Sequence, residues 1–385
     1  MIDSHTLLTS TILTRPEELD QLVEYLSTQP LFGVDTESNS LFAYREQVCL
    51  VQFSTPEADI LVDPLALADL SPLSRLFANP AQEKVFHAAE YDLLCLKRDF
   101  GFEFANLFDT MVAASVLGRE ALGLATLLQQ EFGVTLDKQN QRADWGLRPL
   151  PPRQLDYARL DTHYLLPLRQ RLRGELEPRG LLPLAQEDFQ RLCAIEWGSH
   201  NPVDEDPAAV CWRIHGSTLL EPQQAAVLLE LCRYRERAAH MVNRPLFKII
   251  GDSTLLSIAQ ECPRSHEALR QVAGMTPFQV KRHGSGLLEA VQRGRRAEPI
   301  YPPRTTRPSD AYLRRLEALK TWRKEAAAQM GVKSDVVLPR NLLYALAEKN
   351  PQDRDCLAEA LQDVPWRLEH FGSQILKVLK VKHGN

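Results

Sequence analysis

At 385 residues the chain exceeds one ordinary core, so two or three domains are expected. Its 44% hydrophobic and 25% charged residues are those of a soluble globular protein, and no apolar run approaches the ~18–20 residues of a membrane span. The net charge of −5 divides into −12 over residues 1–190 and +7 over 191–385: an acidic half suited to cations joined to a basic half suited to phosphates.

The opening MIDSHTLLTS lacks the basic start and apolar core of a signal peptide, and a cytoplasmic protein is expected. Cys49, Cys95, Cys193, Cys211, Cys232, Cys262 and Cys356 are scattered without a CxxC pair. They read as mostly buried thiols, with neither a disulfide framework nor a zinc site.

In chain order, Thr14, Pro16 and Glu17 read as the cap and first turn of a helix carrying Leu19, Leu22, Val23 and Leu26. Strand-like runs follow at 31–37, 47–54 and 59–62, with turn-rich pieces between them that suit an antiparallel meander. A strand over 84–87 leads into a helix from Glu90 to about Phe100. A short strand over 106–108, helices near 109–117 and 123–132, and one helix from about Leu150 to Leu172 complete the series. Antiparallel strands followed by alternating helix and strand indicate an α/β domain with a mixed sheet.

From about residue 209 the pattern is helical, and it repeats. A shift of 88 positions aligns residues 228–291 with 316–379 without a gap, matching Leu228, Arg235, Ala239, Leu255, Pro263, Pro277 and Gly284 to identical residues. Most matches are apolar or small, so they describe a shared core and a duplicated helical domain. The joint AEPIYPPRTTRPS (297–309) is an extended linker rich in proline and arginine. The second copy has drifted: His240 and Met241 face Ala328 and Gln329, and Arg244–Lys248 has become Val332–Val336.

Asp35 and Glu37 stand at i and i+2 on a strand end, hence on one face. Asp92 lies in the first turn of the helix after the 84–87 strand, where the helix dipole favours a carboxylate. Tyr157 and Asp161 are four apart on a helix and project together. Taken singly, each is ordinary: acidic strand ends are often solvated, a first-turn aspartate is often structural, and a Tyr-x-x-x-Asp pair is common. As an ensemble at one sheet edge, four carboxylates would form a site for two divalent cations, Mg²⁺ or Mn²⁺, since hard oxygen ligands select these over zinc. Such a pair could clamp a phosphodiester, with Tyr157 orienting the attacking water.

At these residues the chain resembles the DEDD superfamily of exonucleases, in its tyrosine-bearing subgroup. FGVDTES (Asp35, Glu37), KVFHAAEYD (Asp92) and Tyr157-Ala-Arg-Leu-Asp161 match its three motifs in order and spacing. The string DWGLRPL (144–150) and the segment YARLDTHYLLPL narrow the match to the ribonuclease D family, and the duplicated domains resemble the HRDC-type module shared with helicases.

The resemblance implies a ribonuclease H-like α/β catalytic domain with a mixed sheet, followed by two all-α helical bundles. The expected parts are an exonuclease domain (1–172), a connecting segment (173–208), a first helical domain (209–294), a linker (295–308) and a second helical domain (309–385). Asp35, Glu37, Asp92 and Asp161 would hold two metal ions and Tyr157 would position water. The implied activity is 3′→5′ removal of 5′-mononucleotides from RNA with a free 3′ end, transfer-RNA precursors among the substrates, by a monomer. Two alternatives are a DNA-directed 3′→5′ exonuclease and a non-catalytic RNA-binding scaffold. The second is disfavoured because no motif acid is missing.

Overall fold

A computed structural model describes residues 12–136, 140–197, 211–303 and 307–380. The N-terminal decapeptide, connecting residues 198–208 and Arg304 of the linker lie outside the described residues.

The catalytic part begins with α1 (Pro16–Ser27), whose Leu19, Leu22, Val23 and Leu26 are all buried. The residue preceding the helix is Arg15 rather than Thr14. The reason is local: the Glu18 carboxylate accepts from the backbone N–H of both Thr14 and Arg15 and fixes the entry one residue later. Five strands follow, with helices between them: β1 (Leu31–Ser38), β2 (Val48–Ser54), β3 (Asp59–Val62), α2 (Ser74–Phe77), β4 (Glu83–Phe86), α3 (Glu90–Phe100), β5 (Leu107–Asp109), α4 (Thr110–Val116) and α5 (Leu124–Phe132).

The sheet order is β3-β2-β1-β4-β5. β2 and β3 are antiparallel, while β4 runs parallel to β1 and β5 parallel to β4, which makes the mixed sheet expected from the sequence. Every residue of β2 is buried, as suits a strand covered on both faces.

The helix expected over 150–172 is two: α6 (Pro152–His163) and α7 (Leu165–Leu176), meeting at Tyr164 with φ −95° and ψ 2°. Pro167 has no N–H to give to His163, so it is accommodated in the first turn of a new helix and not inside an old one. Residues 182–193, within the stretch expected to connect domains, form α8 (Leu182–Cys193). Its Leu184, Ala185 and Phe189 are buried in the catalytic core, and Phe189 meets Phe108 at 4.8 Å between ring centroids. Each such fully buried large side chain contributes about 1.5–3 kcal/mol.

The two helical copies have matching frames. The first comprises α9 (Pro222–Val242), α10 (Leu246–Ile249), α11 (Asp252–Glu261), α12 (His266–Gln271) and α13 (Pro277–Arg296). The second comprises α14 (Asp310–Met330), α15 (Ser334–Val337), α16 (Arg340–Lys349), α17 (Arg354–Ala360) and α18 (Pro365–Lys380). Every helix of the second set starts 88 positions after its counterpart. Arg235 donates to the Ile250 carbonyl at 3.1 Å and Arg323 to the equivalent Leu338 carbonyl at 2.9 Å, so this shared arginine is structural in both.

The chain divides into two compact units. One joins residues 38–47 to the first helical copy, where the Tyr44 hydroxyl donates to Glu236 at 2.8 Å. In this unit Cys211 is bonded to Cys232 as a disulfide, which corrects the expectation of unpaired thiols. Burial is also less general than expected: of the free cysteines, Cys49 and Cys95 are buried, Cys193 and Cys262 are partly exposed, and Cys356 is exposed. Scatter along the sequence says nothing about which thiols folding brings together.

The other unit holds the catalytic part and the second copy. Here the drift between copies acquires a physical reason: Val332 and Val336, which replace Arg244 and Lys248, pack onto the catalytic core.

Candidate active site

β1 carries Asp35 and Glu37 out of a buried apolar start, and α6 brings Asp161 to them. Carboxylate oxygens of Asp35, Glu37 and Asp161 all lie within 4.8 Å of one another. Asp92 is not in this tight trio. It heads α3, buried, and accepts a hydrogen bond from the Thr36 hydroxyl at 2.5 Å. The cleft enclosing Asp35, Glu37, Tyr157 and Asp161 has a volume of about 430 Å³ and is also lined by Thr36 and His87.

Crowding and burial dominate the electrostatics. Burial pushes the Asp35 carboxyl well above the ordinary carboxylate range, and the charges of Asp92, Asp161 and Glu37 push it further. Glu37 is raised in the same way, by burial and then by Asp161 and Asp92. Asp92 is therefore electrically part of the group although it stands aside from the trio. Asp92 and Asp161 are each pushed up to about 7, chiefly by burial, with hydrogen bonds from Thr36 and Tyr157 opposing the shift. Such a set is costly unless a cation lies among its members, and an all-oxygen donor set fits a hard divalent ion.

The Tyr157 hydroxyl donates to Asp161, and burial with the Asp161 and Glu37 charges holds its proton far more tightly than usual. The phenol is thus a hydrogen-bond donor and not a base.

Sequence reasoning missed three supports of this site. Thr36, between the two acids of the first motif, ties β1 to Asp92. Asp109 ends β5 and accepts from the backbone N–H of Ala88 and Ala89 while capping α4 through Met111 and Val112. Ala88 has φ +62°, unfavourable for a residue with a Cβ, and Asp109 holds it there in the turn that aims Asp92. His87 has Nδ1 2.9 Å from the Thr110 hydroxyl, which itself donates to the Phe86 carbonyl. The only signal for Asp109 was its place before a helix, an N-cap pattern.

Residues 10–177 match the family model for a 3′-5′ exonuclease, and residues 224–291 and 313–379 match the HRDC domain. A ribonuclease D from Granulibacter bethesdensis is 32% identical over 376 residues, covering 95% of this chain and 91% of the relative. One from Gluconacetobacter diazotrophicus is 34% identical over 373 residues, with the same coverage of 95% and 91%. The chain belongs to the ribonuclease D family.

The crystal structure of Escherichia coli RNase D, described as an exoribonuclease involved in structured RNA processing, superposes with a TM-score of 0.69 at 27% identity, covering 96% of this chain and 98% of that one. Membership of the ribonuclease D family makes this chain a 3′→5′ exoribonuclease, as its motifs implied. The fold class is likewise as expected: a mixed-sheet catalytic domain followed by HRDC-type helical domains. Among the described residues no helix is long and apolar enough to cross a membrane.

Proposed function

We propose that the chain trims RNA 3′ ends by hydrolysis at the Asp35–Glu37–Asp92–Asp161 cluster, releasing 5′-mononucleotides, with transfer-RNA precursors and other small structured RNAs as substrates. The carrying observation is the convergence of three carboxylates within 4.8 Å in a cleft that also holds the Tyr157 hydroxyl. The exonuclease domain, expected over 1–172, runs on through α7 and α8 to Cys193, and the protein acts as a cytoplasmic monomer.

In this reading Asp35, Glu37, Asp92 and Asp161 hold two divalent cations, Mg²⁺ or Mn²⁺. When bound, these ions would acidify a water and take up charge on the phosphodiester. The chain's own residues do the rest. The four carboxylates supply negative charge that only cations can balance, and the Thr36 hydroxyl ties Asp92 to β1 by a hydrogen bond. Tyr157 keeps its proton and offers it as a hydrogen bond, first to Asp161 and then to the water poised for attack. The P–O3′ bond breaks, the nucleotide leaves with the phosphate on its 5′ oxygen, and the shortened RNA keeps a free 3′-hydroxyl.

The test is a matched panel of RNA and DNA oligonucleotides with free or blocked 3′ ends, assayed with Mg²⁺, with Mn²⁺ and with EDTA. Stepwise loss of 5′-mononucleotides from free RNA 3′ ends, abolished by EDTA, is expected. Preference for DNA would favour the alternative substrate class. Binding without hydrolysis under all conditions would leave a scaffold.

A further inference from the structure

The string DWGLRPL distinguishes this chain's family, yet none of its residues belongs to the acid cluster. Its geometry leads to Tyr157. Arg148 grips the sheet: its Nε donates to Asp63 Oδ2 at 2.6 Å and an Nη to Asp63 Oδ1 at 2.7 Å, at the end of β3. The same Nη donates to the Cys49 carbonyl on β2 at 2.6 Å, while the other Nη donates back to the carbonyls of Trp145 and Leu147 at 2.8 and 2.7 Å. One planar fork therefore ties two strands to its own loop, which a lysine's single ammonium cannot reproduce.

What the loop carries is Trp145, 1% exposed, whose ring centroid lies 6.1 Å from that of Tyr157. Trp145 shares a buried cluster with Cys49, Leu50 and Leu61 of the sheet and with Leu155 and Ala158 of α6. Its indole N–H has no hydrogen-bond partner among the described residues, although a buried tryptophan normally finds one. The ring is held for its shape and position, not for its polar edge.

We propose that residues 144–150 are a positioning device for Tyr157: Arg148 anchors the loop to β2 and β3, and Trp145 backs the phenol ring so that its hydroxyl meets the reacting water. The inference rests on the role given to Tyr157 above. The hydroxyl sits at the end of a ring that pivots about one bond, so a small tilt moves it off the line of attack. Displacement of about 1 Å by a change outside the chemistry can cost ~100-fold in rate. Trp145 and Arg148 act through Tyr157 and not on substrate or metal, and are positioning residues.

The experiment is a double-mutant cycle under single-turnover conditions at saturating Mg²⁺ in the full chain, with W145F, R148K and Y157F alone and combined. W145F breaks no hydrogen bond among the described residues, and R148K keeps the charge beside Asp63, so at least one is expected to fold. Single W145F or R148K should lower the hydrolysis rate ~10–100-fold, leaving both the affinity for a short RNA in Ca²⁺ and the Mg²⁺ midpoint unchanged. In the Y157F background either change should cost less than ~3-fold, since no hydroxyl remains to misplace. Multiplicative losses, or loop variants as fast as wild type, would overturn the positioning role while leaving the function of Tyr157 intact. A fully active Y157F would instead remove the premise, and the proposal with it.

Discussion

The Arg367 guanidinium of α18, with no exposed surface, donates to the Glu187 carboxylate of α8 at 2.8 Å. A second Nη reaches Asp188 at 2.8 Å, and the Val336 and Val337 carbonyls take further hydrogen bonds. Glu187 also accepts from the backbone N–H of Trp366. The second helical copy is thereby bolted to the catalytic part, and the valines that replace the first copy's basic residues complete the same contact.

Burial pushes the Glu187 carboxyl up even though Arg367 pulls it down, so the pair is demanding to form and worse to break. R367A leaves Glu187 buried without its cation and should destabilise the protein by about 3–5 kcal/mol. Urea unfolding at pH 7 checks this; a change below about 1 kcal/mol would contradict it. For the same reason a fragment ending at residue 208 should lose stability with the second copy, although every proposed metal ligand lies before residue 162.

D35N or D161N should reduce hydrolysis about 10³-fold, equivalent to ~4 kcal/mol of transition-state stabilisation. Because each change also relieves repulsion among crowded acids, metal-free stability should be unchanged or higher. Rate and thermal midpoint measured on the same preparation separate the two effects. Near-normal activity at saturating Mg²⁺ would remove the variant residue from the site.

The acid cluster also sets a pH dependence. Folding raises Asp92 and Asp161 from an ordinary 3.8 to about 7, so the metal-free folded state binds more protons than the unfolded chain between those values. Their contribution is full below pH 3.8 and is lost as pH rises through about 7. EDTA-treated protein should therefore melt at a lower temperature at pH 8 than at pH 5, and stabilisation by Mg²⁺ should grow over that interval. Equal Mg²⁺ shifts at both pH values would mean that these acids do not bind the ion.

Y157F retains the ring and loses only the hydroxyl, so hydrolysis should fall ~10–10³-fold, at most as far as on loss of a metal ligand. RNA affinity measured with Ca²⁺ in place of Mg²⁺ should barely change. An affinity loss as large as the rate loss would make Tyr157 a substrate contact.

The first helical copy should carry most of the RNA tether. Arg237, Arg244, Arg295 and Arg296 belong to it, whereas Arg235 is buried on Asp252, and Arg233 and Arg293 share Glu230. Replacing Arg244, Arg295 and Arg296 together by Gln should weaken binding to a transfer-RNA precursor and flatten its salt dependence. The slope should change by ~0.7 for each phosphate that is no longer neutralised. R235Q should instead lower stability. Unchanged affinity and slope in the triple variant would assign the copy another task.

Much of this protein was legible because it follows from short-range geometry. The i, i+2 spacing of Asp35 and Glu37 on a strand and the i, i+4 spacing of Tyr157 and Asp161 on a helix are set by the backbone alone. The 88-residue repeat was legible as a duplicated helical domain, and every helix of the second copy starts 88 positions after its counterpart, since equal spacing of core residues demands equal elements. Tertiary structure alone decided what lies far apart in the chain: that Asp161 meets β1, that Thr36 holds Asp92, that Cys211 pairs with Cys232, and that Arg367 is buried on Glu187. Those pairings depend on which surfaces leave water together, and no local spacing encodes it. An arginine reads the same in sequence whether it faces an RNA phosphate or, like Arg367, a carboxylate in the core.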